Sequence, residues 1–277
     1  MGAGRGHAGS GPGQAPVWPL VYVHVPKAAG TSLKDVIARV YAPRPMLFFL
    51  QGTGELERFS AMPAAARARC AAVAGHEPFG LQRVYDGCGV EPAVITVLRE
   101  PVARVVSLYR YIFREPAHPL HTAFVEGGVS LAEVFSRFTP EAFDNHQVRY
   151  LAGPTVHGKA FGTLTGDDLD LAKQNLSEGC RAFGLQERFA ESMEWFAREL
   201  GWPTVDAGRL NESPGRGSRD SGPNGPGGAA GGITDADRAM IAERNALDVE
   251  LHRFASRLFD ERAGVRRGDP DDPRMPA

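Results

Sequence analysis

The sequence predicts a three-layer α/β domain with a mostly parallel central sheet flanked by helices. Short apolar runs typical of buried strands occur at 21–25, 70–75, 93–98 and 181–185. The first, third and fourth runs are each followed by a segment whose apolar residues have helical spacing, and strands that alternate with helices form parallel sheets. With 277 residues, we expect one domain over 17–262, with a mobile Gly-rich insertion at 214–232 and flexible tails at 1–16 and 263–277.

Composition narrows the class of protein and its partners. The formal net charge of −2 gives no sign of nucleic-acid binding. No apolar run approaches the roughly 18 residues of a membrane span. Cys70, Cys88 and Cys180 show no C-x-x-C spacing, which favours reduced thiols and a cytoplasmic location and predicts no metal site. The oligomeric state cannot be inferred from these data.

The first strand runs into a turn that has the composition of an anion site. Val21, Val23 and Val25 alternate with polar or aromatic residues, and a helical stripe of apolar residues begins at Leu33. The turn between them, residues 26–32, contains a Lys, a Gly and two hydroxyls but no carboxylate. A helix N-terminus supplies unpaired N–H groups to an anion. The spacing does not match G-x-x-x-x-G-K-[ST], which argues against a Walker site.

Two further strands end in residues that can carry chemistry. His76 follows the run 70–75, and Arg99 follows the run 93–98. Pro101 then opens a helix on which Ser107 lies about two turns from the start. Because open α/β sheets bind ligands at the carboxyl ends of their strands, we expect these residues to meet in one site.

Together these segments resemble the sulfotransferases that use 3′-phosphoadenosine 5′-phosphosulfate (PAPS), in the branch that includes the heparan sulfate 2-O-sulfotransferases. The segment Pro26-Lys27-Ala28-Ala29-Gly30-Thr31-Ser32 is similar to the 5′-phosphosulfate loop, whose commoner form has Thr at the position of Ala28. The run 98–109 is similar to the 3′-phosphate segment, and 75–79 to the segment that carries the general base.

The resemblance implies a P-loop-like fold, a co-substrate and a role for each residue. PAPS would be bound by Lys27, Ala28, Ala29, Gly30, Thr31, Ser32, Arg99 and Ser107. His76 would take the proton of the acceptor hydroxyl near its ordinary pKa of about 6.5, and Lys27 would stabilise the leaving phosphate, so that no metal is required. The acceptor would be a carbohydrate or glycoconjugate.

Several alternatives stay open at this point. The chain could be a P-loop-like nucleotide kinase, which would need Mg²⁺, or a non-catalytic nucleotide-binding protein of the same fold. Asn145 and Arg149, in a segment that also resembles the family, could line the acceptor pocket or flank a buried helix. The insertion 214–232, which carries Arg216 and Arg219, could be a lid over the nucleotide or a linker without a role.

Overall fold

A parallel five-stranded sheet forms the centre of the molecule, which is described from a computed structural model. The structure describes residues 16–50, 52–203 and 232–264. The strand order is β2-β3-β1-β4-β5, and every described strand pair is parallel. The strands are β1 (Leu20–Val23), β2 (Met46–Phe49), β3 (Ala72–Gly75), β4 (Ala93–Leu98) and β5 (Ala182–Leu185).

Helices flank this sheet, which confirms the predicted α/β fold class. They are α1 (Gly30–Tyr41), α2 (Glu55–Ser60), α3 (Ala64–Arg67), α4 (Pro101–Arg114), α5 (His121–Gly127), α6 (Leu131–Glu133), α7 (His146–Ala152), α8 (Pro154–His157), α9 (Gly166–Gln174), α10 (Phe189–Leu200), α11 (Asp235–Arg244) and α12 (Ala246–Ala263). Short 3₁₀ turns lie at Leu81–Tyr85, Glu141–Phe143 and Gln186–Arg188, and π turns at Val134–Phe138 and Asn175–Gly179.

The strand order reverses beside β1, which makes this a topological switch point of the sheet. The chain leaves β1, returns through β2 and β3 on one side, and then adds β4 and β5 on the other side. Val23 is level with Gly75 of β3 and with Thr96 of β4. The carboxyl ends of β1 and β3 therefore lie side by side, and β4 extends two residues further. Ligands of open α/β sheets bind at such a point.

Helix α1 shows how the local sequence produces the elements around this point. Its buried side chains, Leu33, Val36, Ile37 and Tyr41, follow the spacing of an amphipathic helix and pack on the sheet. The helix ends at Tyr41, close to Pro43, where the sequence predicts it to end. The C-terminal bound of the helix is thus encoded locally.

Two details of the predicted secondary structure are wrong. The sequence analysis has no strand in 46–69, yet Met46–Phe49 forms edge strand β2 against β3. Thr234 caps a run of apolar residues with helical spacing that predicts one continuous helix, but the helix breaks at Asn245 between α11 and α12. The buried Asn245 side chain donates to the carbonyl of Ile241 and accepts from the N–H of Asn145, and these bonds hold the break.

The predicted boundaries at the ends and in the insertion mostly lie outside the described residues. This applies to 1–15, to 214–231 with Arg216 and Arg219, and to 265–277. Helix α12 reaches Ala263, the first residue of the predicted C-terminal tail. Within the described ranges, no helix is long and apolar enough to cross a membrane. Cys70, Cys88 and Cys180 are free thiols.

Candidate active site

A cleft of about 940 Å³ opens at the carboxyl ends of β1, β3 and β4. It is lined by the turn before α1, by His76 after β3, by Arg99 after β4, and by side chains of α4 and α7. The residues that the sequence predicts for one site therefore share one cleft, with one exception. Those that line it are Lys27, Ala29, Gly30, Thr31, Ser32, His76, Arg99 and Ser107.

The exception is Ala28, whose side chain is fully buried in the core. Its N–H donates to the carbonyl of Val25 over 3.3 Å and so closes the turn. Ala28 thereby contributes to the shape of the loop, and its role in binding PAPS stays a prediction. Lys27 and Ala29, on either side of it, have positive φ angles of 71° and 58°, the left-handed region that L-residues seldom adopt.

The N-terminus of α1 faces this cleft with its anion-binding groups available. No carboxylate lies in its first turn, and no side chain caps it. Gly30, Thr31 and Ser32, the first three residues of the helix, all line the cleft. The positive end of a helix dipole and two hydroxyls are thus presented at one point, an arrangement suited to phosphate or sulfate oxygens.

Gly30 is required here by close packing against His24. A Cβ at position 30 would lie 1.5 Å from Nε2 of His24. The His24 ring stacks on Tyr22, and it meets the ring of His76 edge-on with centroids 4.4 Å apart. The imidazole of His24 therefore lies between His76 and the turn 26–32, which we call the phosphate loop after its predicted role. The sequence analysis treats His24 only as an alternating strand residue and misses this role.

Burial determines the protonation state of both imidazoles. It lowers the pKa of His24 to about 2, with smaller contributions from His76, Lys34 and Lys27. Burial and the charges of Lys34 and Lys27 lower the pKa of His76 to about 4. The expectation that His76 titrates near 6.5 is therefore wrong. Its imidazole is neutral at pH 7 and can accept a proton.

Arg99 connects the end of β4 to the phosphate loop. Its Nη1 donates to the carbonyl oxygen of Lys27 over 3.1 Å. Glu100, a possible surface partner for Arg99, instead caps α4 by accepting from the N–H groups of Val102 and Ala103. Burial lowers the pKa of the Arg99 guanidinium, which nonetheless stays charged at any physiological pH. The hydrogen bond therefore holds the positive charge of Arg99 beside the loop that carries Lys27.

Helix α7 holds Arg99 in place from behind. The Gln147 side chain accepts from the N–H of Arg99 over 2.9 Å and donates to its carbonyl over 2.8 Å. Gln147 is itself fixed, because Asp248 of α12 accepts from the N–H groups of Gln147 and Val148. A continuous set of hydrogen bonds thus runs from α12 to the phosphate loop.

The structure decides between the two interpretations of Asn145 and Arg149. Arg149 is fully buried, pairs with Asp144 and donates to several carbonyls, among them that of Ala160 at 3.0 Å. The side-chain amide of Asn145 accepts from the N–H of Asp248 and so joins α7 to α12. Neither residue lines the cleft. They are structural residues of a buried helix.

Several lining residues escape the sequence analysis. Lys34 lies one helical turn after Gly30, and burial lowers the pKa of its ammonium. Tyr111 lies one turn after Ser107, and the ammonium of Lys27 is 3.9 Å from its ring centroid. Both could have been found from the i, i+4 spacing on α1 and α4. No group of three or more His, Cys, Asp or Glu residues in the described ranges could hold a metal ion.

Comparison with known proteins adds little to this geometry. No family model matches the chain, and no curated protein matches it. Among solved structures it is similar to mouse sulfotransferase SULT7A1 complexed with PAP, at 16% identity and a TM-score of 0.40, over 93% of this chain and 87% of that one. A similarity of this size carries no functional argument.

Proposed function

We propose that this protein is a sulfotransferase that moves the sulfuryl group of PAPS to a hydroxyl acceptor. The observation that carries the proposal is the meeting of three strand ends in one cleft. They bring together a loop and helix N-terminus suited to one phosphate, a guanidinium and a hydroxyl suited to a second, and a neutral imidazole. PAPS carries two such groups, a 5′-phosphosulfate and a 3′-phosphate.

The phosphate loop would bind the 5′-phosphosulfate. The N–H groups at the start of α1 and the hydroxyls of Thr31 and Ser32 would donate to its oxygens, and Lys27 would stabilise charge on the leaving phosphate. Arg99 and Ser107 would bind the 3′-phosphate through a guanidinium fork and a hydroxyl. Because Arg99 also bonds the carbonyl of Lys27, the two phosphate sites would be set at a fixed distance from each other.

His76 would act as the general base. The acceptor oxygen attacks sulfur, the bond from sulfur to the bridging phosphate oxygen breaks, and the acceptor proton passes to the imidazole of His76. The products are the sulfated acceptor, PAP and a proton that His76 later releases. The low pKa of His76 keeps it unprotonated before the reaction, and burial against His24 fixes its ring.

We also propose an acceptor class, a compartment and a mechanism without a metal ion. A carbohydrate or glycoconjugate acceptor is supported by the resemblance of the motifs, and a cytoplasmic location by the three free thiols. Lys27, Lys34 and Arg99 supply the positive field at the loop, which supports transfer without a metal ion.

A thermal-shift measurement with PAP, AMP and ATP–Mg²⁺ tests the proposal. A ligand at a hundred times its Kd stabilises a protein by about 2.7 kcal/mol, which corresponds to roughly 5 °C for a chain of this size. We expect PAP to reach this shift without Mg²⁺ and AMP to need far higher concentrations. A larger shift with ATP–Mg²⁺ than with PAP would favour the kinase alternative. PAP binding without turnover on any hydroxyl acceptor would favour the non-catalytic one.

A further inference from the structure

The imidazole of His24 lies between the two parts of the cleft that the proposed reaction uses. Its Nε2 occupies the space beside Gly30, the first residue of α1, where a side chain would otherwise stand. Its ring also meets that of His76 edge-on, with centroids 4.4 Å apart. Only 6% of the His24 surface is exposed, yet this residue lines the cleft. The exposed part of His24 therefore borders the cleft between the phosphate loop and the proposed base.

The two ring nitrogens of His24 have different surroundings. Nδ1 is buried and has no hydrogen-bond partner within the part of the chain that the structure describes, whereas Nε2 lies against Gly30 at the cleft. Because burial lowers the pKa of His24 to about 2, the ring is neutral and carries one proton. With that proton on Nδ1, a buried donor would lack an acceptor, and the lone pair of Nε2 would face an anionic ligand. The proton therefore belongs on Nε2.

The position of this N–H matches the place where charge would develop in the reaction. In an in-line transfer, sulfur lies between the leaving oxygen and the acceptor oxygen. The phosphate loop would hold the leaving side, and His76 would lie at the acceptor side. Because His24 contacts both the loop and His76, its N–H would lie beside the line of transfer. As the bond from sulfur to the bridging oxygen breaks, negative charge builds on that oxygen, and a donor already in place stabilises it.

We propose that His24 is a second catalytic residue, whose Nε2–H donates a hydrogen bond to the bridging oxygen of PAPS as the bond from this oxygen to sulfur breaks. This inference rests on the proposed function and adds a residue to its mechanism. The electrons of the broken bond stay on the bridging oxygen, the acceptor oxygen bonds to sulfur, and the acceptor proton passes to His76. His24 keeps its own proton throughout. Its ring stacks on Tyr22, so that the donor is held in place before the reaction.

Two substitutions of similar length separate the donor from the packing of the ring. His24→Gln places an amide donor near the position of Nε2, whereas His24→Met fills similar space and cannot donate. The full-length protein is given PAPS with methyl β-glucoside, or with water alone as the acceptor, and PAP formation is measured. We expect kcat to fall about a hundredfold in His24→Met, the scale of losing one preorganised donor. His24→Gln should recover at least tenfold of this loss.

The affinity for PAPS provides the second readout. In both variants, calorimetry without an added acceptor should give a Kd for PAPS within threefold of the wild type, because the bridging oxygen carries little charge before its bond breaks. A residue that only shapes the loop would instead lose PAPS affinity together with kcat. The control Tyr22→Phe removes the hydroxyl of the ring that stacks on His24 and changes no residue that lines the cleft. It should leave kcat unchanged.

The remaining outcomes separate this inference from the proposed function. A near-normal kcat in folded His24→Met, parallel losses of kcat and PAPS affinity, or a kcat in His24→Gln as low as in His24→Met would overturn the inference alone. Absence of PAPS binding or of PAP formation in the wild type would overturn the proposed function, and the inference with it. Circular dichroism establishes that each variant is folded. If His24→Met does not fold, His24→Asn replaces it, because its amide ends short of the Nε2 position, and the same loss of kcat is expected.

Discussion

The imidazole of His76 is kept neutral by burial and by two ammonium groups, Lys34 and Lys27. A base with a pKa of about 4 accepts a proton less readily than one near 7, but it is in its reactive form throughout the physiological range. The site thereby has a base whose protonation state does not change over the physiological pH range. Contact with His24 positions its ring.

We expect His76→Ala to abolish sulfuryl transfer and to leave PAP affinity within about threefold, because a general base contacts the acceptor and not the nucleotide. In the wild type, kcat/KM should be flat from about pH 7.5 down to pH 5 and fall only as His76 protonates near pH 4. Initial rates of the variant and of the wild type across pH measure the loss of transfer and the pH profile. An acid limb centred near pH 6.5 would show that burial does not lower the pKa of His76, and an undiminished rate in the folded variant would place His76 outside the role of base.

His24 and Gly30 form a second pair whose coupling can be measured. We expect Gly30→Ala to destabilise the fold by about 2 kcal/mol, because the new Cβ would collide with a packed imidazole. In a His24→Ala background the same change should be much milder, which gives a coupling energy of at least about 1 kcal/mol in a double-mutant cycle. Urea unfolding of the four proteins provides the values. Additive effects would show that the loop, and not His24, excludes a side chain at position 30.

At the scale of elements, α7 determines where the end of β4 lies. The Gln147 side chain makes two hydrogen bonds to the backbone of Arg99 and does not line the cleft. Without these two hydrogen bonds, Arg99 would still carry its charge, but its distance from the phosphate loop would no longer be fixed.

We therefore expect Gln147→Ala to weaken PAP binding about tenfold, the scale of misplacing one binding group, while AMP binding changes little. Gln147→Glu keeps the acceptor for the N–H of Arg99 but loses the donor to its carbonyl, so it should lie between the wild type and Gln147→Ala. Calorimetry with the two nucleotides measures this. Equal losses for PAP and AMP would mean that α7 supports the whole cleft and not Arg99 in particular.

The elements themselves differ in how far their sequence reveals them. The strands before the cleft and helices α1, α4 and α10 follow from apolar periodicity, capping and Pro or Gly at their ends. Edge strand β2 was missed because its run Met-Leu-Phe-Phe neither alternates with polar residues nor contains a β-branched side chain, so the sequence does not distinguish it from part of a helix. The break at Asn245 depends on a hydrogen bond to Asn145, one hundred residues earlier, and local sequence cannot show it.

The same distinction holds for the site. The loop, His76 and Arg99 were predicted because each lies at a strand end, and Ser107 because the run 98–109 resembles the 3′-phosphate segment. The contacts of His24 with Gly30 and with His76 depend on three-dimensional packing. So does the low pKa of His76, since burial is its largest cause. Residue types and spacing identify candidate groups, whereas their protonation states require the fold.

For the whole molecule, buried neutral histidines make stability depend on pH. His24 has a folded pKa of about 2 against about 6.5 when unfolded, so the unfolded state binds the extra proton as pH falls below 6.5. Stability is full above that value and is lost below it. Carboxylates with lowered pKa, such as Asp168 and Asp237, destabilise the fold only near or below their unfolded pKa of about 4.

We expect the free energy of unfolding to fall between pH 8 and pH 5, with His24 alone contributing about 2 kcal/mol. Urea unfolding at several pH values measures the loss in the wild type and in His24→Asn. The loss should be smaller by about that amount in the variant. An identical pH dependence in the two proteins would show that His24 is not the buried neutral group described here.

The central claim is that one cleft binds a nucleotide by two separate phosphates, and calorimetry of PAP and AMP with the wild type and Arg99→Ala tests it most directly. We expect the wild type to prefer PAP over AMP by about a hundredfold without Mg²⁺, since a buried charge-assisted pair contributes roughly 2–3 kcal/mol. In Arg99→Ala this preference should largely disappear, while AMP affinity stays nearly unchanged. Equal affinity of the wild type for PAP and AMP, or equal losses of both ligands in the variant, would contradict the claim.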